Sequence, residues 1–341
     1  YTGGGCPHIL AEPQRTNLVT YSEDFTQWNK SSASLINTIT STVISPDGVS
    51  YANKLYPIGA GSNAYIRQTI AGDCFSMFIK KGERKWILIY GGFANSNVWF
   101  DSENGVLGTV RSEATATVES FGNDWYRIKI LWTQNSTQVR IYNVDGDNSL
   151  VSTGNETDGL YIWGAQLEGS YATSYIPTSG STVTRNQDQF TRDGIGSLIN
   201  STEGCVFGEG NFAESNSGGS YVYFASLSDG TVNNRLEIRQ TSSNVQFLWR
   251  VATYQSQIST SGVDVGSNFK FAVNYSSANI KFYVNGNLID TINTPTLWSA
   301  NTLNRLAFDD GAGGNRLSGK VKQLQVYKTA LTDSELIALT T

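Results

Sequence analysis

Apolar and polar residues alternate along most of the chain in short runs: YIRQTI, FSMFIKKG, WILIYGG, VWFD, WYRIKILW, QVRIYNV and LYIWG, then YVYFASL, RLEIRQ, VQFLWRV, NFKFAVNYS, IKFYVNG and VKQLQVYK. A period of two puts successive side chains on opposite faces of an extended backbone, so each run predicts a β-strand with one face in a core. Gly, Asn and Asp punctuate the runs at short intervals, which predicts tight turns between antiparallel strands rather than the crossovers of a βαβ fold. Asn285-Gly286 suits a type I′ hairpin. Helical signals are confined to the end, where Thr332 to Glu335 makes a capping box ahead of Leu336, Ile337 and Leu339. The predicted class is all-β: two tandem antiparallel β-sandwiches (jelly rolls) with one short C-terminal helix.

A chain of 341 residues exceeds one ordinary domain and suits two. The polar, turn-rich stretch from Ser179 to Glu203 places the boundary near Arg185. The expected domains are therefore residues 1–185, including an N-terminal leading segment, and residues 186–341. No internal repeat relates them. Between Leu160 and Gly180, Leu160 and Ile162 share one strand face and Tyr161 and Trp163 the other, and Gly164 is expected to end the strand. The opening YTGGGCPHILAEPQRTNL, without a methionine, reads as the middle of a longer protein and implies a further N-terminal region.

Composition narrows the function classes. A net charge of −5 and a pI near 5.0 exclude nucleic acid as the expected partner, because phosphate binding needs a concentrated cationic surface. No apolar run approaches the roughly 20 residues that span a bilayer, so membrane insertion is not expected. Cys6, Cys74 and Cys205 lack metal-ligand spacing, and Cys74, within CFSMFI, reads as a small buried hydrophobe. His8 is the only histidine, too little for a zinc site, and its neighbours read as a loop. Glycosidases need two carboxylates flanking one bond. The nearest acidic groupings here, Glu156 with Asp158, Asp309 with Asp310 and Asp333 with Glu335, fall in loops or at the helix start. No catalytic residue is assigned, and the protein is expected not to be an enzyme.

Glycan binding needs aromatic faces for sugar C–H surfaces, with polar side chains beside them for hydroxyls. On QVRIYNV, Arg140 and Tyr142 face away from Val139 and Ile141, and Trp99 similarly opposes Val98 and Phe100. These three are expected to line a polar sheet face. In the second half, Arg239 opposes Leu236 and Ile238, and Arg250 opposes Trp249, whose partners Val245, Phe247 and Val251 mark it as core. Arg239, Arg250 and Tyr254 are the glycan candidates there.

Two resemblances follow from longer motifs. EPQRTNLVTYSEDFTQW with Asn17, Phe25 and Trp28, then FSMFIKKG, FDSENG, DWYRIKI, WGAQLE and SYIPTSG, resemble over about residues 3 to 185 a module recurrent in bacteriophage tail, fibre and other virion-surface proteins. That module is related in fold to carbohydrate-binding modules, and the resemblance implies that Trp28, Trp125 and Trp163 pack its core. FYVNGNLID and LSGKVKQLQVYKTALTDSEL resemble a laminin-G-like, concanavalin-type sandwich. Together they imply a virion-surface or extracellular adhesion protein whose partners are cell-surface polysaccharide and other virion proteins. They also imply a homo-oligomer, by analogy a trimer. Calcium is frequent in both folds, and Asp309, Asp310 and Asn315 in FDDGAGGN offer oxygen ligands for it. The competing expectations are a structural virion protein (head decoration or baseplate) and the accessory binding region of a polysaccharide-degrading enzyme.

Overall fold

The computed structural model describes residues 8–31, 36–62, 64–213, 221–241, 244–264 and 266–341, the side chains of 36, 37, 62 and 254 excepted. It is nearly all β, with antiparallel strand pairing throughout the sheets and one C-terminal helix. The chain divides into two compact units. One holds residues 15–185 and the other holds residues 186–341 together with residues 8–14.

The unit of residues 15–185 is a pair of six-stranded sheets. One sheet runs Val106–Val110, Val98–Asp101, Trp86–Tyr90, Val139–Val144, Tyr65–Gln68 and Asn29–Lys30 in spatial order, the other Ala114–Gly122, Trp125–Trp132, Cys74–Lys80, Leu160–Glu168, Tyr51–Pro57 and Ile36–Ile44. The alternation read from sequence delivers one face of each to a shared core that contains Phe25, Trp28, Ile66, Phe75, Ile79, Ile89, Phe100, Ile128, Trp132, Ile141, Leu160 and Ile162. Trp28 lies in this core, as expected. Trp125 and Trp163 are also buried, but on the far face of their sheet, in a separate cluster with Ala52 and Phe78. Gly164 does not end its strand. The pairing slips between Trp163 and Gln166, a bulge at which Gly164 takes a φ of +64°, and the strand continues to Glu168. The slip keeps Ala165 and Leu167 in the core and turns Gln166 and Glu168 to a buried polar network with Thr173.

The other unit repeats the architecture with different connectivity. One sheet orders Ile9–Ala11, Gly319–Tyr327, Gly204–Phe212, Phe269–Tyr275, Asn279–Val284 and Asn287–Asn293. The second orders Thr191–Arg192, Arg305–Ala307, Val222–Ser228, Asn234–Thr241, Asn244–Val251 and Tyr254–Thr260. Phe212, Phe224, Phe269, Phe271, Phe282 and Trp249 fill the space between them. The leading segment assigned above to the first half instead joins this unit: Ile9 pairs with Val321 and Ala11 with Gly319. Such an edge pairing leaves no local pattern, because its partner is some three hundred residues away. Asn285 and Gly286 both have positive φ, +47° and +80°, as a type I′ turn requires.

The helix Asp333–Thr340 has the expected capping box, with the Glu335 amide donating to Thr332 Oγ1 and the Thr332 amide to Glu335 Oε2. Only Leu336 of the three expected apolar residues is buried, against Cys205, Ala272 and Tyr283; Ile337 faces outward. Cys74 and Cys205 are free and buried, and burial pushes both thiols up to about 12. Cys6 lies outside the described residues.

Candidate functional site

The side of the Trp86–Tyr90 sheet that faces away from the core carries three rows of residues in register across the strands. Tyr65, Tyr142, Leu88 and Trp99 form the central row. Arg67, Arg140 and Tyr90 flank it on one side, and Val144, Trp86 and Asp101 on the other. Trp86, Leu88 and Tyr90 are alternate residues of one strand, so the outer rows lie roughly 13 Å apart.

Trp99, Arg140 and Tyr142 therefore do share the polar face predicted for them, but they do not share a role. Trp99 and Tyr142 are 2% and 3% exposed. They pack with Leu88 and Val144, and the Trp99 indole N–H donates to the Ser149 carbonyl at 2.8 Å. Neither presents a ring face to a ligand; they are the floor. The rings left partly exposed are Tyr65, Tyr90 and Trp86. Arg140 sits between two of them, its guanidinium carbon 4.5 Å from the Tyr65 centroid and 5.0 Å from that of Tyr90. The Tyr65 ring in turn lies 4.9 Å from Tyr142. Tyr65, Tyr90 and Trp86 are not among the residues chosen from sequence: YIRQ is too short a run to fix the partner strand of Tyr65, and alternation does not say which outward aromatics stay uncovered.

At the other end Trp86 enters the wall of an open cavity of about 600 Å³, together with Lys81, Glu83, Arg84, Lys85, Glu103, Val144, Asp145 and Thr153. Its charged groups are matched. Lys85 bridges Glu103 at 2.9 Å and Asp101 at 3.3 Å, and Lys81 also pairs with Glu103. Arg84 meets Asp145 at 2.5 Å and donates to Asn143 Oδ1 and the Thr153 carbonyl, while Glu83 pairs with Lys54 at 2.7 Å. Hydrogen bonds from Lys81 and Lys85 hold the Glu103 carboxyl down at about 2. Burial works to raise Asp145, Asp101 and Glu83, yet N–H donors and the neighbouring cations outweigh it and leave all three below the ordinary carboxylate range. The general acid of a glycosidase is a carboxyl held above that range, and these acids are shifted the other way.

Arg239 and Arg250 sit on the outer side of the Asn234–Thr241 sheet, and Arg239 is bound into that face. It donates to Gln246 at 3.1 Å, to Glu237 at 3.0 Å and to Gln257 at 3.1 Å, and stacks 3.6 Å from the centroid of Tyr221. Arg235 meets the other Glu237 oxygen at 2.7 Å and donates to the Asp310 carbonyl. Glu237 is 0% exposed, and burial, partly offset by the two guanidiniums, pushes its carboxyl up to about 7. Arg250 is opposite Arg235 in register and donates to the Ala252 carbonyl. The side chain of Tyr254 lies outside the described residues.

Asp309, Asp310 and Asn315 do not converge on a common centre. Asp309 is buried, accepting from Arg305 at 2.9 Å and from the Gly311 amide at 2.7 Å. Asp310 accepts from the Ala312 and Gly314 amides and from Asn315 Nδ2. Asn315 thus turns an N–H, not an oxygen, toward the carboxylates, and the oxygens already serve N–H donors. That is turn closure, and it does not fit a calcium ion, which requires six or more convergent oxygens. Among the described residues no group of three or more His, Cys, Asp or Glu side chains is placed to hold a metal. His8 is exposed, ahead of the strand Ile9–Ala11.

Comparison with solved structures returns partial likenesses. The CBM40 module of the Ruminococcus gnavus IT-sialidase bound to α2,3-sialyllactose is 16% identical, with a TM-score of 0.38, covering 45% of this chain and 98% of that one. The SAP-like pentraxin of Limulus polyphemus is 15% identical, with a TM-score of 0.35, covering 45% and 76%. The binding domain of botulinum neurotoxin serotype G is 12% identical, with a TM-score of 0.35, covering 41% and 37%. No curated protein matches the chain. Residues 212–337, which lie within the second unit, match the family described as the concanavalin A-like lectin/glucanases superfamily, and that part of the chain is similar to a concanavalin A-like, laminin-G domain.

Proposed function

We propose that this protein binds cell-surface glycan without transforming it, through the outer face of the first unit. One observation carries the reading: Tyr65, Tyr90 and Trp86 leave ring surface open along a single sheet face, with Arg140 between the two tyrosines and hydrogen-bonding groups lining the cavity beside Trp86. Aromatic faces bordered by fixed donors and acceptors are what sugar C–H and O–H groups require. A binding rather than hydrolytic role is supported by the cavity's carboxylates, all held below the ordinary range. The description of the superfamily matched by residues 212–337 names lectins as well as glucanases, so glycan contact by the second unit is part of the same proposal.

The proposed setting is adhesion at a virion surface, in a homo-oligomer whose repeated weak sites add up to useful avidity; the motifs of residues 3 to 185 support it. A structural role through protein contacts is the second reading. It is favoured by Ile39, Ile44, Val49 and Tyr51, exposed on and beside neighbouring strands of the other sheet of that unit.

A glycan array read with the wild type and with Trp86→Ala, Tyr65→Ala and Tyr90→Ala tests the proposal. Binding that each folded variant weakens is expected. Binding that all of them leave unchanged refutes this site. New reducing ends or unsaturated products on incubation with a bound polysaccharide refute the non-catalytic reading.

A further inference from the structure

We infer that the glycan taken by the first unit carries an anionic substituent, a carboxylate or sulfate, which Arg67 and Arg140 receive; the inference rests on the proposal that this face binds glycan. The two arginines are directly opposite in register on neighbouring antiparallel strands. Opposed residues have Cα atoms about 4.5–5.5 Å apart, and like charges so placed repel. Within the fold that repulsion goes uncompensated. Among the described residues no carboxylate pairs with either side chain. Arg67 donates to the neutral Gln138 amide oxygen at 3.2 Å, and Arg140 lies over the Tyr65 and Tyr90 rings and against the neutral Tyr142 hydroxyl. Ring faces and a neutral hydroxyl disperse a guanidinium charge without neutralising it, so an anion whose oxygens meet the terminal N–H groups is the partner this pair lacks.

The cavity at the other end of the face shows the contrast. There Lys81, Lys85 and Arg84 are each ion-paired, and Glu103 stays ionised down to about pH 2, so an incoming anion would have to displace a resident one. The Trp86 end is therefore built for a neutral sugar and the Arg67–Arg140 end for an acidic one. The distance between them, roughly 13 Å along the strand, demands an oligosaccharide rather than a single residue.

The experiment is calorimetric titration of the full chain with hyaluronan and chondroitin sulfate hexasaccharides, their carboxyl-reduced and desulfated counterparts, and neutral cello- and chito-hexaose. The acidic ligands are expected to bind about tenfold more tightly than their neutralised counterparts, and raising NaCl from 0.05 to 0.5 M should remove most of that advantage. Arg67→Gln with Arg140→Gln should abolish the preference, bringing acidic ligands down to the affinity of their neutralised counterparts, and Trp86→Ala should weaken both classes alike. The two acidic ligands distinguish carboxylate from sulfate as the favoured group. Equal binding of acidic and neutralised ligands, or a preference that persists in the folded double variant, overturns the inference and leaves glycan binding standing. If the double variant does not fold, a salt-independent preference in the wild type overturns it instead. Failure of every ligand to bind overturns the glycan proposal and the inference with it.

Discussion

At the scale of the residue, the face depends on small neighbours as much as on its aromatic members. A Cβ added to Gly108 would lie 2.8 Å from Trp86 Cζ3 and 2.4 Å from Asp147 Oδ1. Gly108→Ala is therefore expected to tilt the indole, costing about 1–3 kcal/mol of stability and weakening glycan binding. Titration with the first-unit ligand and a urea midpoint check both effects. Glu237 gives a second residue-scale outcome. Its carboxyl is raised from 4.5 to about 7 in the folded chain, so folding takes up a proton between those values. Its stabilising contribution is complete below about pH 4.5 and is lost as the pH rises through 7. Denaturant midpoints for the second unit should fall over that window in the wild type, and Glu237→Gln should remove this part of the pH dependence.

The helix and the hairpin show how much an element owes to its ends. Thr332 accepts from the Glu335 amide and donates its own amide back, closing two donors that helix geometry otherwise leaves open. Thr332→Ala is expected to cost about 1 kcal/mol by urea denaturation. Leu336→Ala should cost more, about 2–5 kcal/mol, because that side chain alone of the helix's large apolar residues is fully buried, against Cys205, Ala272 and Tyr283. A cap loss equal to or larger than the Leu336 loss would show that the helix is held by its own hydrogen bonds and not by the sheet.

For the whole molecule, the division into units does not follow chain order at its beginning. Ile9–Ala11 completes the edge of a sheet whose other strands come after residue 203. Deleting residues 1–14 should lower protection of the Gly319–Tyr327 strand in hydrogen exchange and leave the core strands of residues 15–185 at wild-type protection. Loss of protection in both sets would mean that the leading segment supports more than its own sheet. Calcium is expected to leave the thermal midpoint unchanged, since the Asp309–Asn315 turn is closed by N–H donors; a millimolar calcium titration followed by melting would reveal any stabilisation.

Strand alternation, the type I′ turn at Asn285-Gly286, the capping box and the outward direction of Arg140 and Arg239 were all legible in the amino-acid order. Each depends only on a period of two or on contacts between residues a few positions apart. The order did not reveal the bulge that carries the strand past Gly164, the partner of Ile9–Ala11, or which outward aromatics stay open. Trp99 and Tyr142 alternate in the same way as Trp86 and Tyr90, and only the strands and the Ser149 loop packed beside them decide that the first two are floor and the others surface. Facing is a local property of an extended chain, whereas exposure and charge compensation depend on neighbours brought together from distant positions, so the sheet faces were written in the sequence and the site on one of them was made by the fold.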